Sequence, residues 1–90
     1  MLLQTPPEMA YDVAQRFRRL RKIRKVTIKS LSEKSGVPYS TLRRFESTGE
    51  IAFVSLVKIT SVLGEDDQIQ RLFADIPPRS IEEVIRGNRV

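Results

Sequence analysis

The stretch TIKSLSEKSGVPYSTLRRFE, residues 27–46, carries the signals for two helices and the turn between them. Thr27 can cap the first helix, since its hydroxyl can accept a hydrogen bond from a free backbone N–H one turn later. Gly36 can adopt the left-handed conformation that ends this helix. Pro38 favours the start of the second helix. The stretch therefore predicts two short helices joined by a tight turn.

The second of these helices is expected to present a polar and basic outer face. Leu42 and Phe45 point inward at helical spacing. The remaining faces carry Tyr39, Ser40, Arg43 and Arg44. A helix, a glycine turn and a second helix with such a surface are typical of the helix-turn-helix arrangement that reads the DNA major groove.

Helical periodicity on both sides of this stretch predicts an all-α fold of five helices. The first four cover about Pro7 or Glu8 to Arg24, 28–35, 38–47 and 53–63, and the fifth begins near residues 65–67 and ends before Pro77. The expected inward side chains are Ala10, Val13, Ala14, Phe17 and Leu20 in the first helix, Ile28 and Leu31 in the second, Phe53, Leu56, Val57, Thr60 and Leu63 in the fourth, and Ile69, Leu72, Phe73 and Ile76 in the fifth. Val54, Ile59 and Val62 add apolar side chains on other faces of the fourth helix, which is therefore expected to be central.

Three segments are expected along the chain. Residues 1–8 form a flexible arm, because Pro6 and Pro7 disfavour an early helix. Residues 9–76 form the helix-turn-helix DNA-binding domain, and residues 77–90 form a tail. Ser80 and Glu83 match a capping box, which predicts one short tail helix that either packs on the body or waits for a partner.

Charge is distributed unevenly along the chain. The net charge is +5, yet residues 16–44 hold eleven Lys and Arg with a single acid, a balance of +10, whereas residues 45–90 have a balance of −3. A solvated charged surface would also explain a basic block. Its coincidence with the helix-turn-helix favours a face that binds a polyanion.

Several classes of function lack the residues they need. The chain contains no Cys and no His, so we expect no disulfide, no metal and no cofactor. Its hydroxyl side chains have no evident base, and we expect no enzyme activity. No apolar run is long enough to span a bilayer, and the start MLLQTPPEMAYD lacks the order of a secretory signal. A cytoplasmic protein, on the nucleoid when bound to DNA, is expected.

The order of these elements resembles the Xre or lambda-repressor-like helix-turn-helix family. The similarity covers about residues 13–63 and rests on VTIKSLSEKSGVPYSTLRRFE after a basic helix, followed by LVKITSVLG. It implies an ion pair between Arg21 and Glu46 that joins the first helix to the end of the third. The family commonly has Gln in place of Ile28, where it contacts a phosphate, and a polar cap in place of Pro38.

The DNA contacts follow from the exposed face and from this resemblance. An Arg one turn after the helix start can fork onto guanine O6 and N7. The candidate base-reading residues are Tyr39, Ser40, Thr41 and Arg44. The candidate phosphate contacts are Arg18, Thr27, Lys29, Arg43 and Ser47.

The implied function is a dimeric repressor that binds double-stranded operator DNA. Small size and the tail look most like HipB-type antitoxins, which partner HipA-like kinase toxins and regulate their own operon. A stand-alone Xre-type regulator, or an antitoxin module that mainly binds protein, remains the alternative. The expected dimer or partner surface is Ile69, Leu72, Phe73, Ile81, Val84 and Ile85.

Overall fold

The computed structural model describes residues 3–77, and within this range the chain forms helices and turns but no strand. The helices are α1 (Pro6–Ile23), α2 (Ile28–Ser35), α3 (Tyr39–Thr48), α4 (Phe53–Val62) and α5 (Asp66–Gln70). The all-α prediction is confirmed for this range, and the bounds of α2, α3 and α4 lie within one residue of those expected. The expected tail helix, with Ile81, Val84 and Ile85, lies outside the described residues.

The N-terminus of α1 differs from the flexible arm expected over residues 1–8. Helix α1 begins at Pro6, because Thr5 and Glu8 form a capping box in which each side chain accepts a backbone N–H of the other. Prolines are tolerated at the first positions of a helix, where their missing N–H would have no intrahelical partner. The inference that Pro6 and Pro7 disfavour an early helix was therefore wrong.

This cap also responds to pH. The hydrogen bond donated by the backbone N–H of Thr5 lowers the pKa of Glu8. The ionised carboxylate is thus favoured in the folded chain, so the cap contributes fully above the ordinary carboxyl pKa and weakens as pH falls through the lowered one.

The turn between α2 and α3 is closed by two hydrogen bonds between serine side chains of α2 and the backbone of Val37. Gly36 ends α2 with φ +78°, in the left-handed region that its missing Cβ permits. The hydroxyl of Ser32 donates to the carbonyl of Val37 at 2.7 Å, and Ser35 Oγ accepts the N–H of Val37 at 3.1 Å. The Val37 side chain is buried, so it fills the corner between the two helices.

The core lies along the contacts of α3 with α1 and α2, and along the contact of α2 with α4. Phe17 and Phe45 pack edge to face across the α1–α3 contact, with ring centroids 5.5 Å apart. The buried apolar residues are Ala14, Phe17, Leu31, Val37, Leu42, Phe45, Ile59 and Leu63. Burial of a large apolar side chain stabilises a fold by about 1.5–3 kcal/mol, so this cluster supplies most of what holds the helices together.

Two of the expected inward stripes were partly wrong. Among the described helices α1 packs only against α3, so its buried stripe is narrow and Val13 stays 40% exposed. Helix α4 contacts α2 and α5 through most of the expected face, since Thr60 and Leu63 are buried and Leu56 packs against the core. Ile59, expected on another face, is fully buried with them, whereas Phe53 is 54% exposed.

The fifth helix is shorter than expected. It ends at Gln70, and the chain continues as a turn through residues 71–74. Ile69 is half-buried, but Leu72, Phe73 and Ile76 are 46%, 87% and 81% exposed, so they form no inward stripe. Phe73 has a φ of +60°, which a bulky residue rarely adopts.

Gly49 allows the end of α3 to approach the backbone of α1. It has a φ of +89°, and an ideal Cβ at this position would lie 2.5 Å from the carbonyl carbon of Ala10 and 2.6 Å from the nitrogen of Tyr11. Only a residue without a side chain fits this contact. Gly36 offers a matched contrast, because it also has positive φ but a Cβ there would meet open space.

We predict that Gly49→Ala destabilises the chain more than Gly36→Ala does. Gly36→Ala should cost about 1–2 kcal/mol of unfolding free energy, the strain of a left-handed residue. Gly49→Ala should add about 1–3 kcal/mol, because α1 and α3 must separate to relieve the backbone clash. Urea denaturation of both variants measures the difference. Equal losses would show that α1 does not press on Gly49.

Candidate nucleic-acid interface

A buried ion pair joins α1 to the end of α3, as the resemblance implied. Arg21 Nε donates to Glu46 Oε2 at 2.7 Å, and Arg21 Nη2 donates to Glu46 Oε1 at 2.9 Å. Both residues are less than 9% exposed. A planar guanidinium that meets a carboxylate through two parallel hydrogen bonds makes the strong and directional form of this interaction.

The same guanidinium also holds the exit of α1. Arg21 Nη1 donates to the carbonyl of Val26 at 2.9 Å. The backbone N–H of Val26 donates to the carbonyl of Arg21 at 3.1 Å, and the backbone N–H of Lys25 donates to the carbonyl of Lys22 at 3.0 Å. This pattern is a Schellman helix end in which Lys25, with φ +59°, takes the left-handed place usually held by Gly. Arg21 therefore positions the start of α2 as well as the end of α3.

A cleft of about 380 Å³ lies beside this ion pair, where α1, the start of α2 and α3 face one another. Three of the predicted phosphate contacts, Arg18, Arg43 and Ser47, line it together. Its full lining is Tyr11, Gln15, Arg18, Arg21, Ile28, Arg43, Glu46 and Ser47. The cleft thus brings basic side chains and hydroxyl groups together beside the Arg21–Glu46 ion pair, whose two charges offset each other.

The predicted phosphate contacts differ in what they offer a ligand. The side chain of Arg18 is 48% exposed and lies 3.9 Å from Glu46, while Arg43 and Lys29 are exposed. Thr27 Oγ1 accepts the N–H of Ser30 at 3.1 Å, which leaves its hydroxyl proton available.

Ser47 offers less to a phosphate than the sequence suggested. Its hydroxyl donates to the carbonyl of Arg44 at 3.1 Å, so in this conformation its proton is already used inside α3.

Of the predicted base-reading residues, Ser40 and Arg44 lie opposite the buried Leu42 and Phe45, and Tyr39 and Thr41 lie on the two flanks of α3. Tyr39 is 48% exposed, Ser40 is exposed and Thr41 is half-buried. Arg44 is also exposed, but its Nη2 donates to Glu50 Oε2 at 3.0 Å. The sequence did not predict this pair, because Glu50 lies beyond the end of the helix and approaches Arg44 only after the chain turns at Gly49.

The basic block is partly neutralised by acids from the following half of the chain. Arg18 and Arg21 pair with Glu46, Arg24 pairs with Glu65, and Arg44 pairs with Glu50. Four of the eleven cations of residues 16–44 are therefore engaged. The net charge of +10 counted over residues 16–44 overstates the positive potential of this surface, because carboxylates from later in the chain pair with some of these cations.

Two residues of the cleft were missed by the sequence reasoning. Tyr11 and Gln15 lie on α1 at the same helical spacing as Arg18, and this spacing was the signal that could have found them. The side-chain amide of Gln15 donates to the backbone carbonyl of Glu46 at 2.8 Å. Gln15 therefore fixes the end of α3 together with Arg21.

Comparisons with known protein families, curated proteins and solved structures found no match to this chain. Within residues 3–77, no group of three or more acidic side chains could hold a metal ion. None of the helices in that range is long and apolar enough to cross a membrane.

We predict that Glu46→Ala destabilises the chain far more than Glu50→Ala. Removing Glu46 leaves the buried guanidinium of Arg21 without its partner, and breaking one side of a buried pair typically costs about 3–5 kcal/mol. Removing Glu50 breaks an exposed pair, which is typically worth less than about 1 kcal/mol. Thermal denaturation of both variants compares them, and equal melting temperatures would mean that Glu46 acts only as a surface acid.

Proposed function

We propose that this chain is a sequence-specific DNA-binding repressor with a lambda-repressor-like domain, which inserts α3 into the major groove of operator DNA. The observation that carries the proposal is the outer surface of α3. It is polar and basic along its length, it follows α2 through a hydrogen-bonded glycine turn, and it borders a cleft that collects further cations. A short helix with these neighbours has the size and chemistry that the major groove admits.

The two adjacent arginines of α3 would then have different roles. Arg43 lines the cleft beside Arg18 and faces the side where a phosphate would lie. Arg44 is on the other flank, four residues after Ser40 and on the same face of the helix. A guanidinium there can donate two hydrogen bonds to guanine O6 and N7. Specificity would depend on Arg44, with Tyr39, Ser40 and Thr41, and general affinity on Arg43 and Arg18.

A protein partner is the second part of the proposal. The chain turns after α5 and exposes Leu72, Phe73 and Ile76 within five residues. Clustered exposed apolar side chains mark surfaces that other proteins cover. A second copy would double the number of base pairs read, as helix-turn-helix dimers do on palindromic operators. In a HipB-type antitoxin the same end of the chain would also serve a HipA-like kinase toxin.

We predict that Arg44→Ala and Arg43→Ala have different effects on DNA binding. Arg44→Ala should cost about 1–3 kcal/mol on a duplex selected from random DNA by the wild-type protein, and much less on scrambled DNA. Arg43→Ala should weaken both and reduce the slope of log affinity against log salt by about one unit. Titrations of both variants on both duplexes, at several salt concentrations, provide the measurement.

Two results would contradict this proposal. Wild-type affinity that is nearly flat between low and physiological salt would exclude a phosphate-binding face. Equal weakening of both duplexes by Arg44→Ala would make Arg44 a phosphate contact and leave specificity to the other exposed residues of α3 or to DNA shape.

We predict that Phe73→Asn weakens self-association without unfolding the chain. Asn tolerates the positive φ that Phe73 adopts, and the aromatic ring makes little contact with the core, so the melting temperature in dilute solution should not fall. The dimer fraction measured by sedimentation should fall, whereas Val54→Asn, at another exposed apolar position, should leave it unchanged. Equal dimer fractions in the wild type and both variants would show that the turn after α5 is not part of the dimer surface.

A further inference from the structure

We infer that Glu50 is a positioning residue for Arg44 and thereby determines the base specificity of α3; this inference rests on the proposed function. Its basis is the exposed ion pair between Arg44 Nη2 and Glu50 Oε2, 3.0 Å apart. Both side chains are about two-thirds exposed, at 67% and 65%. An exposed pair of this kind contributes little to stability, so its value lies in the direction that it gives to the guanidinium.

Glu50 can orient the guanidinium of Arg44 because hydrogen bonds fix the position of its own backbone. Thr48 Oγ1 donates to the carbonyl of Arg44 at 2.7 Å and accepts the backbone N–H of Glu50 at 3.1 Å. One hydroxyl therefore ties the residue after the helix to the carbonyl of Arg44 itself. Gly49, between Thr48 and Glu50, is pressed against the backbone of α1. The carboxylate thus extends from a point that is fixed to both α1 and α3.

The contact leaves Arg44 able to read a base. A guanidinium has five N–H donors, which form two edges that each present a pair of parallel protons. The single bond to Glu50 uses one proton of Nη2. Whichever of the two Nη2 protons it uses, the other edge keeps both of its protons for guanine O6 and N7.

Without this contact, Arg44 would discriminate less between base pairs. The side chain has many rotamers, and each of them could place the charge near a phosphate instead of a base. Glu50 disfavours the phosphate alternatives in a second way, because its negative charge repels the DNA backbone near Arg44. The pair therefore exchanges some general affinity for discrimination between sequences.

The test compares Glu50→Ala with Glu33→Ala. Glu33 is an exposed acid within the basic block, so both changes remove one negative charge, but the Glu33 side chain makes no hydrogen bond with a described residue, unlike that of Glu50. Each protein is titrated on a duplex selected from random DNA by the wild-type chain, and on a scrambled duplex of the same composition. The ratio of the two affinities is the readout, since loss of a negative charge raises binding to both duplexes alike.

We expect Glu50→Ala to lower this ratio by about fivefold or more, the lower end of the discrimination that one bidentate arginine–guanine contact provides. Glu33→Ala should leave it unchanged. In an Arg44→Ala background, Glu50→Ala should have no further effect on the ratio, because the side chain that it positions is gone. DNA selected from a random pool by the Glu50→Ala protein should lose its preference at one position per half-site.

Three results would overturn the inference. An unchanged ratio in Glu50→Ala would show that Glu50 acts only through its charge or not at all. An equal loss with Arg44 already removed would show that Glu50 affects specificity without Arg44. In both cases the DNA-binding proposal would stand. Failure of the wild-type chain to enrich any sequence would instead reject the proposed function and this inference together. The melting temperature of Glu50→Ala, expected to match that of the wild type, shows that a change in the ratio does not come from unfolding.

Discussion

The bidentate pair between Arg21 and Glu46 is the interaction on which the arrangement of the first three helices depends. Removing two charges from water is costly, and this cost is offset only where the geometry is good and the remaining donors are satisfied. Arg21 meets both conditions, since its third hydrogen bond goes to the carbonyl of Val26. One side chain of α1 therefore fixes the end of α3 and the chain that leads into α2.

Local signals were enough to predict the centre of the fold. The cap at Thr27, the left-handed Gly36 and the break at Pro38 act within one or two turns of the chain, so neighbouring residues in the sequence determine them. The Arg21–Glu46 contact was predicted differently, from the resemblance to a family of similar helix order. The exposed surface of α3 followed from the burial of Leu42 and Phe45 at helical spacing.

Features that depend on distant parts of the chain were not predictable in the same way. The burial of Ile59 instead of Phe53 depends on which face of α4 meets α2, and apolar residues on several faces leave that choice open. The pair between Arg24 and Glu65 joins residues 41 positions apart, so a count of charges along the sequence misses it. The contact between Arg44 and Glu50 requires the chain to turn at Gly49, and the helical periodicity of the sequence does not predict the geometry of that turn.

The inner side of α3 is buried and its outer side is exposed, so the two sides tolerate different substitutions during evolution. Leu42, Phe45 and Glu46 make the contacts that keep the domain folded, whereas Tyr39, Ser40, Arg43 and Arg44 are exposed. Substitutions at exposed positions usually change stability by no more than about 0.5 kcal/mol. The outer residues can therefore diverge after gene duplication while the scaffold is kept, and under the proposed function such a copy would bind a new DNA sequence.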